Sequence, residues 1–328
     1  MPRDHSSQEL TLTREDFDRA RARVSPYVYH TPILTSRSLS EATGFDIRLK
    51  AELFQRGGAY KVRGPMNKIA LLSDEERARG VICSSAGNHS QGVAIAARQY
   101  GVRAVVVMAE NATKSKIAAT AGYGAEVILH GTIWDEANEK ALELMEQQGL
   151  TYIHPFDDPD LIAGQGTVGL EILDDVPDAA LVIVPIGGGG LISGIAMALK
   201  STNPEIRVIG VESSGAPAMQ RSVEAGHRIT LERVDCVIDG LRVKRVGEIT
   251  LSVVSRFVDE IVTLPDEQIF DAVLWLMARA KLVAEGAAAA PVGALLQGLI
   301  RAEPGTKVVC VLSGGNLDVE QLRGRSWN

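Results

Sequence analysis

The stretch LVIVPIGGGGLISGIAMALK, residues 181–200, decides the fold. A short apolar run ends in the glycines Gly187, Gly188, Gly189 and Gly190, and an apolar helical period begins at once. A glycine turn between a strand and a helix aims backbone N–H groups, and the positive end of the helix dipole, at an anion. Glycine suits the turn because side chains would block close approach and because some positions require positive φ.

Working outward, the same strand-then-helix unit recurs. From Val81 onward, GVICSS precedes NHSQGVAIAARQYG, RAVVVMA precedes TKSKIAATAGYG, and EVILH precedes WDEANEKALELMEQQG. Beyond the glycine turn come RVIGVE (207–212), FVDEIVTL (257–264) and KVVCVLS (307–313). Apolar runs alternating with helical periods predict βαβ units and a mostly parallel sheet, so the fold class is α/β. Nearer the start, residues 14–24 predict a helix and DIRLKAE (46–52) alternates like a strand. No low-complexity linker or tandem repeat interrupts the chain, so two closely packed lobes are expected.

Length and composition narrow the function classes. A chain of 328 residues accommodates two lobes sharing an extensive core. Net charge is −7 and no basic cluster is interleaved with aromatics, which disfavours nucleic acid as a partner. No run is long and apolar enough to span a bilayer, and the polar start MPRDHSSQELTLTRED has no apolar core of a secretory signal. Cys83, Cys236 and Cys310 are widely spaced beside apolar runs, reading as buried free thiols in a reducing compartment. A cytoplasmic protein is expected, with no membrane partner.

Three further segments join the glycine turn. Lys61 lies in GGAYKVRG, Asn88 in SSAGNHSQG, and Ser313 in LSGGN. A lysine among apolar neighbours has a depressed pKa and serves as nucleophile and base. SSAGNHSQG also joins a strand to a helix, so its N–H groups suit a carboxylate, while Asn88 offers both donors and an acceptor to a ring hydroxyl. A primary amine for an aldehyde, a cradle for a phosphate and polar groups for a pyridine ring together point to pyridoxal 5′-phosphate. Dinucleotide binding is the rival, since Glu212 ends the next strand. Its register fails: counted from Gly188, GxGxxG needs glycine at Ser193, and the glycine falls at Gly194. No GK[ST] follows for a nucleotide-triphosphate loop.

These residues resemble the fold-type II pyridoxal-phosphate enzymes, which are tryptophan synthase β-like, and within them the threonine dehydratase and serine racemase branch. GGAYKVRG, SSAGNHSQG, IGGGGLISG and LSGGN follow the family's order, joined by HPFDDP (154–159), IAGQGTVGLEI (162–172) and DGLRVKR (239–245). The resemblance covers residues 27–316, nearly the whole chain. It implies two open, twisted, mostly parallel-sheet lobes with the cofactor between them. A small substrate-carboxylate domain, 73–157, would be inserted in a large cofactor domain, 1–72 and 158–328. Lys61 would be the covalent anchor, Tyr60 would pack on the ring, Asn88 would meet its hydroxyl, and Ser313 its nitrogen. Gly187, Gly188, Gly189 and Gly190 would hold the phosphate, with Gly240 and Glu285 lining the cofactor. Ser85, Ala86, Gly87, Asn88 and His89 would surround the substrate carboxylate. A small β-hydroxy amino acid is the implied substrate, and a homodimer or homotetramer the implied assembly.

Within the branch, residue 86 discriminates. Serine racemases place a serine there as acid/base opposite the lysine; here it is Ala86, and a methyl group carries no proton. The resemblance thus implies a dehydratase that turns L-threonine into 2-oxobutanoate and ammonia, and L-serine into pyruvate. A neutral Ser313 at the ring nitrogen makes a weaker electron sink than a carboxylate would, favouring prompt β-elimination. The sequence ends twelve residues after Asn316, which implies a short, catabolic-type enzyme without a regulatory extension. Ala59 stands in place of the usual serine, EGAAAA (285–290) in place of a more glycine-containing run, and Arg242 in place of a small residue. Arg242 reads as a surface residue, or as a partner for an acidic substrate group such as that of 3-hydroxyaspartate. Some relatives bind a cation through an acid like Glu212 and a carboxylate six residues on; that position is Ala218, so no metal is expected. Serine racemase, and a cofactor-binding pseudoenzyme that the retained Lys61 argues against, are the remaining alternatives.

Overall fold

Two sheets, both dominated by parallel pairing, carry the chain in a computed structural model that describes residues 11–323. In the larger sheet, β1 (Ile33–Thr35) runs antiparallel to β2 (Asp46–Lys50) at one edge. The smaller sheet holds β3 (Val81–Ser84), β4 (Ala104–Met108), β5 (Glu126–Leu129) and β6 (Thr151–Tyr152), all parallel, in the order β5-β4-β3-β6. The larger sheet resumes with β7 (Leu181–Pro185), β8 (Arg207–Ser213), β9 (Glu260–Leu264) and β10 (Lys307–Val311). Its order is β1-β2-β10-β7-β8-β9, parallel everywhere except the β1–β2 pair. The fold class is α/β, as the alternating runs predict.

The apolar runs VICS, AVVVM, LVIVP and KVVCV lie in these strands, and β4 and β7 are buried along their whole length, as sheets covered on both faces require. The expected helix at 14–24 forms as Arg14–Val24, started by a capping box between Thr13 and Asp16. The short β1 and β6 were not anticipated. Strands of three and two residues are too brief to show an alternation. The outer ends of the expected domain limits, residues 1–10 and 324–328, and the first ten residues of the polar start lie outside the described residues. Among those described, no helix is long and apolar enough to cross a membrane.

The Pro159–Asp175 helix organises the interior. Its glycines remove the side chains that would keep neighbours away: a Cβ on Gly166 would lie 2.8 Å from the Gly194 carbonyl, and one on Gly164 would lie 2.6 Å from that of Arg63. The IAGQGTVGLEI segment therefore lets two helices approach to backbone contact. One is Arg63–Ala70, which follows Lys61; the other is Gly190–Lys200, which follows the glycine turn. The segment that carries Lys61 and the glycine turn thus share one support.

A buried charge cluster fixes this arrangement. Arg63 donates from Nε and Nη2 to Glu52, at 2.8 and 2.7 Å, and from Nη1 and Nη2 to Glu171, at 2.7 and 2.9 Å. Nη1 also reaches Thr167 Oγ1 and Nη2 the Tyr29 carbonyl. Lys50 Nζ pairs with Glu171 at 2.6 Å and donates to the Thr31 carbonyl at 2.7 Å. Two cations face two carboxylates, and none of the four is more than 5% exposed. Removing one partner of such a set leaves a buried uncompensated charge, at a cost of about 3–5 kcal/mol. Arg63→Met should lower stability by about that amount, read as a lower urea midpoint with an unchanged m-value. A midpoint equal to that of the parent protein would mean that the cluster contributes nothing net.

Candidate active site

The segments singled out in the sequence converge at the carboxyl ends of the strands, where open α/β sheets bind ligands. β3 leads into residues 85–89, β7 into 187–190, and β10 into Ser313. The Lys61 segment enters from the side. Ala59 bridges Gly314, and the Tyr60 N–H donates to the Ser313 carbonyl at 3.1 Å, so lysine and serine turns are stitched together. A Cβ on Gly92, in the Asn88–Tyr100 helix, would lie 2.5 Å from the Lys61 carbonyl. The asparagine helix therefore rests directly on the lysine's backbone.

Lys61 Nζ donates to the Pro155 carbonyl at 2.8 Å and lies 5.3 Å from the Tyr60 ring centre. Burial drives its pKa down to about 8, with the Glu285 carboxylate opposing the shift. Burial also pushes the Tyr60 phenol far above its ordinary value, helped by Glu285. Glu285 itself is raised by burial and by Asp239, against the hydrogen bond from Asn88. Asn88 Nδ2 donates to both Glu285 oxygens, at 2.8 and 2.9 Å.

Around the expected carboxylate turn, Ser85 Oγ accepts the Gly87 N–H at 3.2 Å, and Ala86 packs against the buried cluster that includes Val62, Met66, Val93 and Val106. Gly87 precedes the first turn of the Asn88–Tyr100 helix, whose leading N–H groups have no intrahelical acceptor. His89 Nε2 lies 2.9 Å from the Ile153 carbonyl, so Nε2 carries the proton and donates. Its Nδ1 is buried with no hydrogen-bond partner, and burial, reinforced by Lys61, lowers the pKa to about 3. His89 is therefore a neutral imidazole here.

The glycine turn is held from outside. Gly189 is left-handed (φ 92°) at the start of the Gly190–Lys200 helix, and Thr250 Oγ1 donates to the Gly188 carbonyl at 2.8 Å. A Cβ on Gly187 would lie 2.3 Å from the Gly240 carbonyl, and one on Gly188 would lie 2.2 Å from the Phe156 ring. Gly240 thus sits against the turn as well as near the site.

Phe156, His154, Thr250, Arg63 and Asn316 received no role from sequence reasoning, although all but Thr250 lie in segments that stood out. His154 Nδ1 accepts the N–H groups of Phe156 and Asp157, at 3.2 and 2.7 Å, folding residues 154–157 into a turn. That turn presents the Pro155 carbonyl to Lys61 and the Phe156 ring to Gly188. Thr250 had no signal, because its role depends on a helix far along the chain. Arg242 is exposed, with its guanidinium 3.7 Å from Asp239. Glu212 is buried at the end of β8, where both oxygens accept N–H groups, of Met219 and Gln220, at 2.8 Å each. Among the described residues no cluster of three or more His, Cys, Asp or Glu side chains is placed to hold a metal ion.

The arrangement fits a phosphate-bearing aldehyde. It has an amine of lowered pKa in Lys61, a side-chain-free helix start at the glycine turn and, on the helix that rests on the lysine's backbone, a buried imidazole nitrogen of His89 without a hydrogen-bond partner. The pyridoxal-phosphate dependent enzyme family matches residues 24–314. The chain belongs to that family. Its cofactor is pyridoxal 5′-phosphate. Similar proteins include an L-threonine ammonia-lyase of Thermotoga maritima, 49% identical over 95% of this chain and 77% of that one. A catabolic L-threonine dehydratase of Escherichia coli K12 is 43% identical over 97% of both chains. Among solved structures, maize serine racemase superposes with a TM-score of 0.91 at 36% identity, covering 95% of this chain and 96% of that one.

Two outcomes test this geometry. In the apoprotein, acylation of Lys61 followed by peptide mapping should rise with pH through a midpoint near 8, because burial favours the neutral amine; a midpoint near 10.5 would mean a solvated lysine. Gly188→Ala should weaken cofactor binding by about tenfold or more, since its methyl group must displace Phe156 or the turn. Equilibrium titration with pyridoxal 5′-phosphate measures it.

Proposed function

We propose that this chain is an L-threonine ammonia-lyase that also accepts L-serine. The observation carrying the reading is that the cleft offers one amine of lowered pKa, Lys61, while residue 86 is an alanine. The names of relatives 43% and 49% identical over nearly the whole chain support the same activity. When bound, the cofactor supplies an electron-withdrawing ring that acidifies the substrate's α-hydrogen.

The chain's own residues do the rest. The first turn of the Asn88–Tyr100 helix and the hydroxyl-bearing Ser85 hold the substrate carboxylate. The N–H groups around Gly187, Gly188, Gly189 and Gly190 hold the phosphate. Tyr60 and Gly240 confine the ring, Ser313 gives its nitrogen a neutral hydroxyl, and Asn88 gives its hydroxyl a donor. Lys61 takes the α-proton as general base. The α-proton and the β-hydroxyl leave together as one water, and the released enamine takes up one water to give 2-oxobutanoate and ammonia, with no net redox change. Serine gives pyruvate by the same route.

Serine racemase is the second reading, favoured by the superposition on the maize enzyme. Inversion needs a proton carrier on the face opposite Lys61, and Ala86 has none. The exposed Arg242, paired with Asp239, supports a surface role over recognition of an acidic substrate. The small domain at 73–157 is consistent with the span of the smaller sheet. A cytoplasmic location is supported by three free, buried cysteines. Exposed Tyr29, Phe54 and Val283 support a homo-oligomer, which light scattering would measure.

L-Threonine should yield 2-oxobutanoate and ammonia in equal amounts, and L-serine should yield pyruvate with little D-serine. Ala86→Ser should raise racemization relative to elimination. Chiral chromatography of L-serine incubated with the unmodified enzyme decides: D-serine formed as fast as pyruvate would move the chain to the racemase reading.

A further inference from the structure

Asn316 lies exposed where the turn after β10 passes the start of the Asn88–Tyr100 helix. Its Nδ2 donates to the Gly57 carbonyl at 2.7 Å and to Asn88 Oδ1 at 2.8 Å. Beyond Asn88, Nδ2 of that residue donates to both oxygens of Glu285. The direction of this chain of bonds follows from its Gly57 end. A backbone carbonyl only accepts, so the Asn316 atom facing it is the NH2 group. The same nitrogen reaches Asn88, which must therefore answer with its oxygen. The Asn88 NH2 group is left on the opposite side, toward Glu285.

The backbone is shaped around this contact. Gly57 and Gly58 are both left-handed, at φ 73° and 72°, and a Cβ on Gly58 would lie 2.5 Å from Asn316 Oδ1. The Gly315 N–H closes the turn on the Gly58 carbonyl at 2.8 Å. The Glu285 carboxylate only accepts, so it requires from the opposite side the same orientation that Asn316 requires. Held between Asn316 and Glu285, the Asn88 amide turns its oxygen to Asn316 and its NH2 group to the Glu285 side.

We propose that Asn316 is a positioning residue, locking the Asn88 carboxamide so that its NH2 group serves as donor to the ring oxygen of the cofactor. The inference rests on membership of the pyridoxal-phosphate family and not on the threonine reading, because its test contains no substrate.

The test is a double-mutant cycle on cofactor binding to the apoprotein, read by quenching of tryptophan fluorescence on titration with pyridoxal 5′-phosphate. Asn316→Ala should weaken binding by about five- to tenfold, the worth of one oriented hydrogen bond, and shift the visible band of the bound cofactor. In an Asn88→Ala background the same substitution should have no further effect, since the residue acts through Asn88. Equal weakening in both backgrounds would show a merely structural role, and unchanged affinity in the single variant would show none; either overturns the proposal. Asn316→Ser, which keeps one hydroxyl donor, should bind with intermediate affinity. It carries the same cycle if circular dichroism shows that the alanine variant does not fold.

Discussion

Arg63 is the constraint on which the site depends. Its guanidinium is fully buried, and it joins four parts of the chain: Tyr29 of the N-terminal segment, Glu52 after β2, its own turn after Lys61, and Thr167 and Glu171 of the central helix. Desolvating such a group is expensive unless every donor is used and the charge is balanced. Here Glu52 and Glu171 chelate Arg63, Lys50 balances the second carboxylate, and Thr31 Oγ1 donates to Glu52 at 2.5 Å. The geometry leaves little freedom, because a planar fork between two carboxylates fits in one orientation. A residue two positions from Lys61 is thereby fixed in all directions, and the lysine's backbone with it.

The second constraint is the turn at residues 154–157, the crossing from the smaller sheet to the central helix. Three neutral or polar anchors hold it: His89 to Ile153, His154 to its own turn, and Lys61 to Pro155. Asp157 extends the connection by accepting the N–H groups of Glu248 and Thr250, at the start of the helix whose Thr250 hydroxyl steadies Gly188. Lysine, carboxylate turn and glycine turn thus meet on one short segment. Both imidazoles are held neutral: burial lowers the pKa of each, and Lys61 adds to the effect. A charged His154 would lose the Nδ1 lone pair that accepts two backbone donors, and the turn would loosen.

Much of this was legible from residue order alone, for reasons that differ by element. Parallel strands such as β4 and β7 announce themselves as continuous apolar runs, because both their faces are covered. The glycine turn is legible because an excluded side chain is a property of the residue itself. Roles set by distant partners were not legible. Phe156 gives no hint that its ring will press on Gly188, and Asn316 none that it will orient Asn88. Asn88 is expected from residue order to face a ring hydroxyl, and the structure adds Glu285 and Asn316 as partners that fix the direction of its amide. Residue order argues against a ribose or cation role for Glu212 without assigning it another, and the structure supplies one: both its oxygens accept N–H groups at the start of the Ala218–Ala225 helix.

The chemistry of Lys61 shows why tertiary placement matters more than residue type. In water a lysine amine is almost wholly protonated at neutral pH and is no base. Burial lowers its pKa from 10.5 to about 8, which multiplies the neutral fraction at pH 7 by roughly 300. Burial alone would carry the shift further. Glu285 restrains it from the other side of the cleft, while Asn88, bonded to both Glu285 oxygens, favours the ionised carboxylate that exerts the restraint. The basicity of Lys61 is therefore set jointly by the glycine-opened packing that buries it and by an asparagine–glutamate pair from two other segments. A substitution in that pair should alter the lysine's titration without touching the lysine.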